Sequence, residues 1–293
     1  MHKAGFVNIV GNPNVGKSTL MNQLVGEKLS IATFKAQTTR HRIMGIVNTE
    51  DSQIVFSDTP GVLKPNYKMQ EMMLQFSESA LADADILLYV TDVIEDPEKN
   101  MDFLEKVAKM SIPVILLINK IDESDQKKLG DLVTKWHGLL PNAEILPISA
   151  KNKFGIDILL KRVHELLPES PAFFDKDQLT DKPAKFFVSE IIREKILRYY
   201  DKEIPYSVEV VVESFKEDDR QIRINAVIYV ERNSQKGIII GHQGMALKKV
   251  STEARKSLER FFDKKIFLET FVKVDKDWRN SQKELKHFGY NPE

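Results

Sequence analysis

The chain contains no cysteine in 293 residues, so it can form neither a disulfide nor a thiolate-held metal site. A reducing compartment suits it. Also missing is any run of about 18 apolar residues, and with it any stretch that reads as a membrane-spanning helix. The N-terminal Met1-His2-Lys3-Ala4-Gly5 leads straight into a strand, without the apolar core of a secretory leader, and a cytoplasmic protein is expected. Net charge is absent too: Lys and Arg number 43, Asp and Glu 43. The cancellation is not local, since the chain is mildly basic from Pro183 onward and mildly acidic before it. What is present is ordinary globular material, 42% hydrophobic and 29% charged, long enough for about two domains with cores of their own.

The most informative stretch is Gly11-Asn12-Pro13-Asn14-Val15-Gly16-Lys17-Ser18, a complete G-x-x-x-x-G-K-[ST] pattern. Phe6, Val7, Ile9 and Val10 before it read as a buried strand, and Ser18-Thr19-Leu20-Met21 after it as the start of a helix. Strand, glycine-bearing turn and helix N-terminus together make an anion site, because backbone N–H groups and the helix dipole both favour negative charge there. The expected roles are β- and γ-phosphate contact for Lys17 and Mg²⁺ ligation for the Ser18 hydroxyl, with Thr19 beside it.

Three further segments fall where such a site needs them. Residues 31–42 are polar and without period. They suit a switch loop in which Gln37, Thr38, Thr39, Arg40 and His41 respond to a γ-phosphate, with Thr39, or its neighbour Thr38, as second hydroxyl ligand of Mg²⁺. The strand Gln53–Phe56 ends in Asp58-Thr59-Pro60-Gly61. Asp58 is placed to serve Mg²⁺ through water, and Gly61 to offer its N–H to the γ-phosphate. The apolar runs Ile86–Val90 and Val114–Ile118 alternate with helical segments, which predicts a mostly parallel sheet with helices on both faces, an α/β fold. The second run leads into Asn119-Lys120-Ile121-Asp122. A carboxylate at Asp122 can accept from both N1–H and the exocyclic amine of guanine, a donor pair that adenine lacks. Asn119 would meet the base edge or brace the phosphate loop, and the Lys120 stem would stack on the ring. The strand at Glu144 ends in Ser149-Ala150-Lys151, whose backbone N–H groups suit guanine O6.

In this order the segments resemble the translation-factor-related GTPases. That resemblance implies GTP binding and hydrolysis to GDP and phosphate. Where signalling GTPases carry a water-orienting Gln after the glycine, this chain has Val62, so a slow intrinsic rate is expected. In some relatives with this feature an Asn of the phosphate loop helps bind K⁺. Asn14 stands at that place, and a simple loop-capping role for it stays open.

The stretch 173–182 carries Asp175, Asp177, Thr180 and Asp181 without periodicity and reads as a linker between a GTPase domain, 1–172, and a second domain, 183–293. The second domain runs helix, strand, strand, short helix, Gly237-Ile238-Ile239-Ile240-Gly241-His242-Gln243-Gly244, long helix, strand. This pattern resembles an α+β KH domain of prokaryotic topology. Gly241 and Gly244 would let the loop, with Ile240, His242 and Gln243, press on a nucleic-acid backbone, while Lys248 and Lys249 on the next helix meet phosphate. One such GTPase domain followed by one KH domain resembles the Era family of ribosome-assembly GTPases. The resemblance implies binding near the 3′ end of 16S ribosomal RNA, a role in 30S subunit assembly, and peripheral membrane contact. A monomer is expected. The rival reading is a GTP-gated RNA-binding scaffold whose turnover is incidental.

Overall fold

The computed structural model describes residues 2–291. Met1, Pro292 and Glu293, where the expected domains begin and end, lie outside them. The chain divides into two compact units, one holding the segments up to Asn66 and Gln70–Asp181, the other Tyr67–Met69 and Lys182–Asn291.

The first unit contains β1 (Lys3–Gly11), α1 (Lys17–Val25), β2 (Ile43–Asn48), β3 (Ser52–Asp58), α2 (Lys68–Ala82), β4 (Ile86–Asp92), α3 (Met101–Ala108), β5 (Val114–Asn119), α4 (Gln126–Leu139), β6 (Glu144–Pro147) and α5 (Ile156–Leu166). The sheet order is β2-β3-β1-β4-β5-β6. Every pair is parallel except β2 with β3, which a tight turn at 49–51 joins as a hairpin. Each residue of β3 and β4 is buried, as an interior strand covered on both faces must be. Because β1, β3, β5 and β6 are parallel, the loops leaving them emerge at one edge of the sheet. This is the crevice at the carboxyl ends of the strands where α/β sheets hold ligands.

Helix α4 has no counterpart in the sequence-based expectation. Gly130 and Gly138 weaken the helical signal inside it. Its start is nonetheless well made, with the Asp125 carboxylate accepting from Lys128 N at 2.9 Å. Trp136 on this helix is buried, its ring 5.8 Å from Tyr89.

Of the stretch 173–182 expected as linker, residues 173–181 are laid along the first unit and Lys182 falls in the second. Thr180 pairs with Gly45 as an antiparallel bridge, and Ile46 N donates to Leu179 O at 2.8 Å. Met44 N donates to Asp181 Oδ1 at 2.9 Å, and the Thr180 hydroxyl donates to Met44 O at 2.6 Å. Gln53 Oε1 accepts from both Phe173 N and Phe174 N. The ring of Phe173 packs 4.9 Å from Phe6. The strap covers the exposed N–H and C=O groups of the β2 edge, which would otherwise invite pairing with another chain.

The second unit contains α6 (Ala184–Tyr199), β7 (Glu209–Glu217), β8 (Gln221–Val230), α7 (Asn233–Ile240), α8 (Met245–Phe262), β9 (Lys265–Val274) and α9 (Gln282–His287). The sheet runs β7-β8-β9, antiparallel then parallel. One face of it meets the helices through Ile192, Ile196, Ile224, Ile228, Ala254 and Leu258. Strand β7 extends to Glu217. The turn proper is held by Asp218 Oδ1, which accepts from Arg220 N and Gln221 N. The tail is anchored by the buried Trp278, 5.4 Å from Phe288, and by Tyr290, whose hydroxyl donates to Glu209 Oε2 at 2.8 Å. Among the described residues no helix is long and apolar enough to cross a membrane.

Candidate functional site

The loop after β1 wraps closely because two glycines allow it. Gly11 has φ 144°, and a Cβ there would stand 2.1 Å from Val90 O. Gly16 has φ 99°, and a Cβ there would stand 2.2 Å from Asn119 Nδ2. Asn119 therefore packs under the loop. Its amide donates to Val15 O at 2.8 Å and its carbonyl accepts from Ala150 N at 2.9 Å, so it braces both loops. Lys17 is buried, and its ammonium donates to Gly11 O and Asn12 O at 2.9 and 2.8 Å. Burial pushes its pKa down to about 8, against the pull of Asp58 and Glu95. Asn14 is in the left-handed region at φ 68°. Its side chain is exposed, lines the cleft, and makes no hydrogen bond among the described residues, so it does not cap the loop.

Three oxygen-bearing side chains converge beside Lys17. Ser18 Oγ lies 2.8 Å from Thr39 Oγ1, which donates to Asp58 Oδ2 at 3.3 Å. Asp58 is fully buried, its Oδ1 has no hydrogen-bond partner, and burial raises its pKa. Thr38 is turned elsewhere, its hydroxyl donating to Lys35 O at 2.5 Å and lying 2.7 Å from Thr33 Oγ1. Of the other switch residues, Gln37 has φ 57°, Arg40 is buried, and His41 lies 6.0 Å from the Phe76 ring. The Asp58-Thr59-Pro60-Gly61 segment is pinned to its surroundings. The Thr59 hydroxyl donates to Ile9 O and the Ser77 hydroxyl to Pro60 O, each at 2.8 Å. A Cβ on Gly61 would meet Pro13 at 2.7 Å.

A cavity of about 250 Å³ is lined by Asn14, Lys17, Ser18, Thr39, Gly61 and Lys120. A second, of about 200 Å³, shares Lys120 with it and is lined further by Asn119, Asp122, Ala150 and Lys151. Asp122 Oδ1 accepts from Ser149 Oγ at 2.6 Å, which fixes the carboxylate. Lys120, with φ 62°, sends its ammonium to Asp92 Oδ2 at 2.6 Å and so lays its stem across the cleft wall. Of the backbone groups expected to read a base, Ala150 N–H is taken by Asn119 and Ser149 N–H donates to Phe154 O at 3.1 Å.

The sequence did not reveal what holds the switch loop at its exit. Arg42 donates through Nε to Ser57 Oγ at 2.6 Å, through Nη1 to Asp83 Oδ2 at 2.7 Å and through Nη2 to Asn8 Oδ1 at 3.1 Å. Asn8 completes the set by donating to Ala80 O and Asp83 Oδ1, both at 2.7 Å. One signal was available: Asn8 is a polar residue inside the apolar run that forms β1, and a buried amide needs partners.

In the second unit the loop between α7 and α8 is open. Gly241 has φ 69°, and a Cβ there would stand 2.6 Å from that of Ala246. Gly244 has φ 75°. His242 and Gln243 are exposed and Ile240 is half-buried. Lys248 is exposed, while Lys249 lies over the Tyr199 ring at 4.5 Å. Of the positive charges further along α8, Arg255 and Lys256 are paired with Glu259 and Glu253.

Residues 6–120 match the model of a family described as 50S ribosome-binding GTPase, and residues 203–279 match that of the KH domain. The GTPase Era of Clostridium kluyveri is 44% identical over 99% of this chain and 100% of its own length. That of Geobacter sp. (strain M21) is 46% identical over 98% of each. Among solved structures, Era in complex with MgGDPNP and nucleotides 1506–1542 of 16S ribosomal RNA superposes with a TM-score of 0.94 at 37% identity, covering 99% of both chains. A variant of Aquifex aeolicus Era bound to GDP·AlF4⁻ gives the same score and identity over 98% of this chain and 99% of its own.

Proposed function

The chain belongs to the Era family of GTPases, and from that premise we propose that it is a GTP-controlled RNA-binding protein acting at the 3′ region of 16S ribosomal RNA in assembly of the 30S subunit. It is an enzyme that hydrolyses GTP to GDP and phosphate. The observation that carries the reading is the convergence of Lys17, Ser18, Thr39 and Asp58 at one end of a cleft, with a fixed Asp122 at the other.

The donor set fits Mg²⁺. Two hydroxyls and a buried carboxylate with an unpartnered oxygen are hard ligands, and among the described residues no group of three His, Cys, Asp or Glu could hold a metal alone, so phosphate oxygens would complete the shell. Ser18 and Thr39 would hold the ion and Asp58 would act on it through water; when bound it neutralises charge on the phosphates. Lys17 is held beneath the loop by two carbonyls it can leave for phosphate oxygens, and Gly61 can approach a γ-phosphate closely enough to donate its N–H. Asp122, oriented by Ser149, accepts from guanine, and Lys151 lines the same cavity. Asn14, exposed and unbonded, is the place for K⁺. The buried Val62 cannot orient water, which favours slow intrinsic turnover and gives the scaffold reading its one specific support.

In the second unit, Gly241 to Gly244 press against the RNA backbone, Lys248 meets phosphate, and the N-terminus of α8 adds its dipole. Lys249 serves more weakly, since its charge already faces Tyr199. The protein is monomeric and cytoplasmic, with any membrane contact peripheral at the inner face.

Reciprocal linkage gives the test. If GTP controls RNA binding, affinity for a 16S 3′-end oligonucleotide should be higher with a non-hydrolysable GTP analogue than with GDP, by about 5–150-fold. Equal affinities with the analogue, with GDP and without nucleotide would leave two independent modules on one chain.

A further inference from the structure

Asn100 stands immediately before α3, where an asparagine is expected to cap the helix by accepting from its first-turn N–H groups. It does not do so. Its carbonyl takes the helical bonds from Phe103 N and Leu104 N, while its side chain makes no capping bond. The amide is turned toward the cleft instead. Asn100 Nδ2 donates to Asn12 Oδ1 in the phosphate loop and, at 3.2 Å, to the backbone carbonyl of Val62. Val62 N–H donates in turn to Gly11 O at 3.1 Å. The residue after Gly61 is thus held on both sides of its backbone, from the phosphate loop and from α3.

The same amide reaches Lys17 through Asn12. Asn12 is buried, and its main-chain carbonyl accepts from Lys17 Nζ. A residue that gives up a local capping bond to serve a distant backbone is where function most often outweighs local preference. Where position 62 carries a glutamine, its side chain can place water. Valine cannot, so orientation of this segment falls to its main chain.

We propose that Asn100 is a positioning residue for GTP hydrolysis, which fixes the Gly61–Val62 backbone against the phosphate loop so that the Gly61 N–H meets the γ-phosphate. This rests on the assignment of Gly61 to that phosphate. GDP lacks the γ-phosphate, so its binding depends on Asn100 only through Asn12 and should suffer far less than the hydrolysis step.

The experiment compares the full-length chain with Asn100→Ala and Asn100→Asp, measuring single-turnover GTP hydrolysis with Mg²⁺, GDP affinity and thermal unfolding. Aspartate caps helices as well as asparagine does, but it cannot donate to the Val62 carbonyl. A helix-capping role predicts that Asn100→Asp retains both stability and rate. The positioning role predicts that both variants lose about tenfold in the hydrolysis step, as small misplacements in a reacting site do, while GDP affinity stays within about twofold. Restoration of the rate in Asn100→Asp, an undiminished rate in Asn100→Ala, or a GDP affinity that falls as far as the rate would each overturn the proposal. Should Asn100→Ala unfold, Asn100→Asp decides alone. Failure of the underlying site assignment would show separately, as undiminished turnover in Lys17→Ala.

Discussion

The two units hold their sites in opposite ways. Around the cleft of the first, the working side chains are already bonded, and all but Asp122 of these are buried: Lys17 to two carbonyls, Asn119 to two loops, Thr39 to Asp58, and the exposed Asp122 to Ser149. At the Gly241–Gly244 loop of the second, His242, Gln243 and Lys248 stand in solvent, and what is fixed is the backbone. The difference matches the ligands. A nucleotide is small and of one shape, so affinity comes from groups whose ordering cost is met in folding. An RNA strand is a flexible repeating polymer, and its backbone is gripped by a surface that leaves most side chains free. Substitutions should therefore be costly in the first site and graded in the second.

Lys17→Ala should show the sharpest contrast. Removing the buried ammonium proposed to meet the transferring phosphate should cost about 10²–10³-fold in turnover. RNA affinity without nucleotide should not change, and circular dichroism should report an intact fold. The same lysine gives a pH test. Its folded pKa lies below the unfolded value, so the unfolded chain binds more protons between about 8 and 10.5, and Lys17's share of stability rises with pH across that window. Nucleotide binding has the opposite sign, because phosphate needs the charged form. GDP affinity should weaken by about fivefold between pH 8 and 9, as the charged fraction falls. A flat profile would mean that the ammonium stays charged beneath the loop.

Asp122→Asn should come next. It leaves the guanine donors facing an amide, at about 1–3 kcal/mol, and should shift preference from GTP toward xanthosine triphosphate. Undiminished GTP affinity would remove Asp122 from base reading.

The smallest effect is expected in the second unit. Replacing His242 and Gln243 together by Asp sets two charges against the RNA backbone without disturbing any buried group. RNA affinity should fall by about tenfold, most at low salt, with GTP affinity unchanged when RNA is absent. A loss as deep as that of Lys17→Ala would erase the contrast between the two sites.

The parts of the first site legible in the sequence are contiguous. Gly11 to Ser18, Asp58 to Gly61 and Asn119 to Asp122 each carry their chemistry within eight residues or fewer, and parallel strands bring them to one edge. What stayed hidden was built from distant partners. Arg42 meets Asp83, and Asn100 meets Asn12, across spans for which spacing gives no rule. Helix α4 escaped notice because two glycines dilute its pattern. The strap at 173–181 is held by single bonds between main chain on one side and main chain or a lone polar side chain on the other, across more than 100 residues, and such pairings leave no pattern in the sequence. In the second unit the order of elements was readable as far as β9, since apolar runs and polar turns mark each one off from the next. Its tail was not, because Trp278 and Tyr290 find their places through Ser207 and Glu209 far up the chain.

The chain has two tryptophans, and each is buried in a different unit: Trp136 against Tyr89 in the first, Trp278 against Phe288 in the second. Each unit therefore carries its own optical probe. Indole emission shifts to the red when a buried ring meets water, so replacing either tryptophan by phenylalanine leaves a chain whose remaining fluorescence follows the melting of one unit while the other is silent.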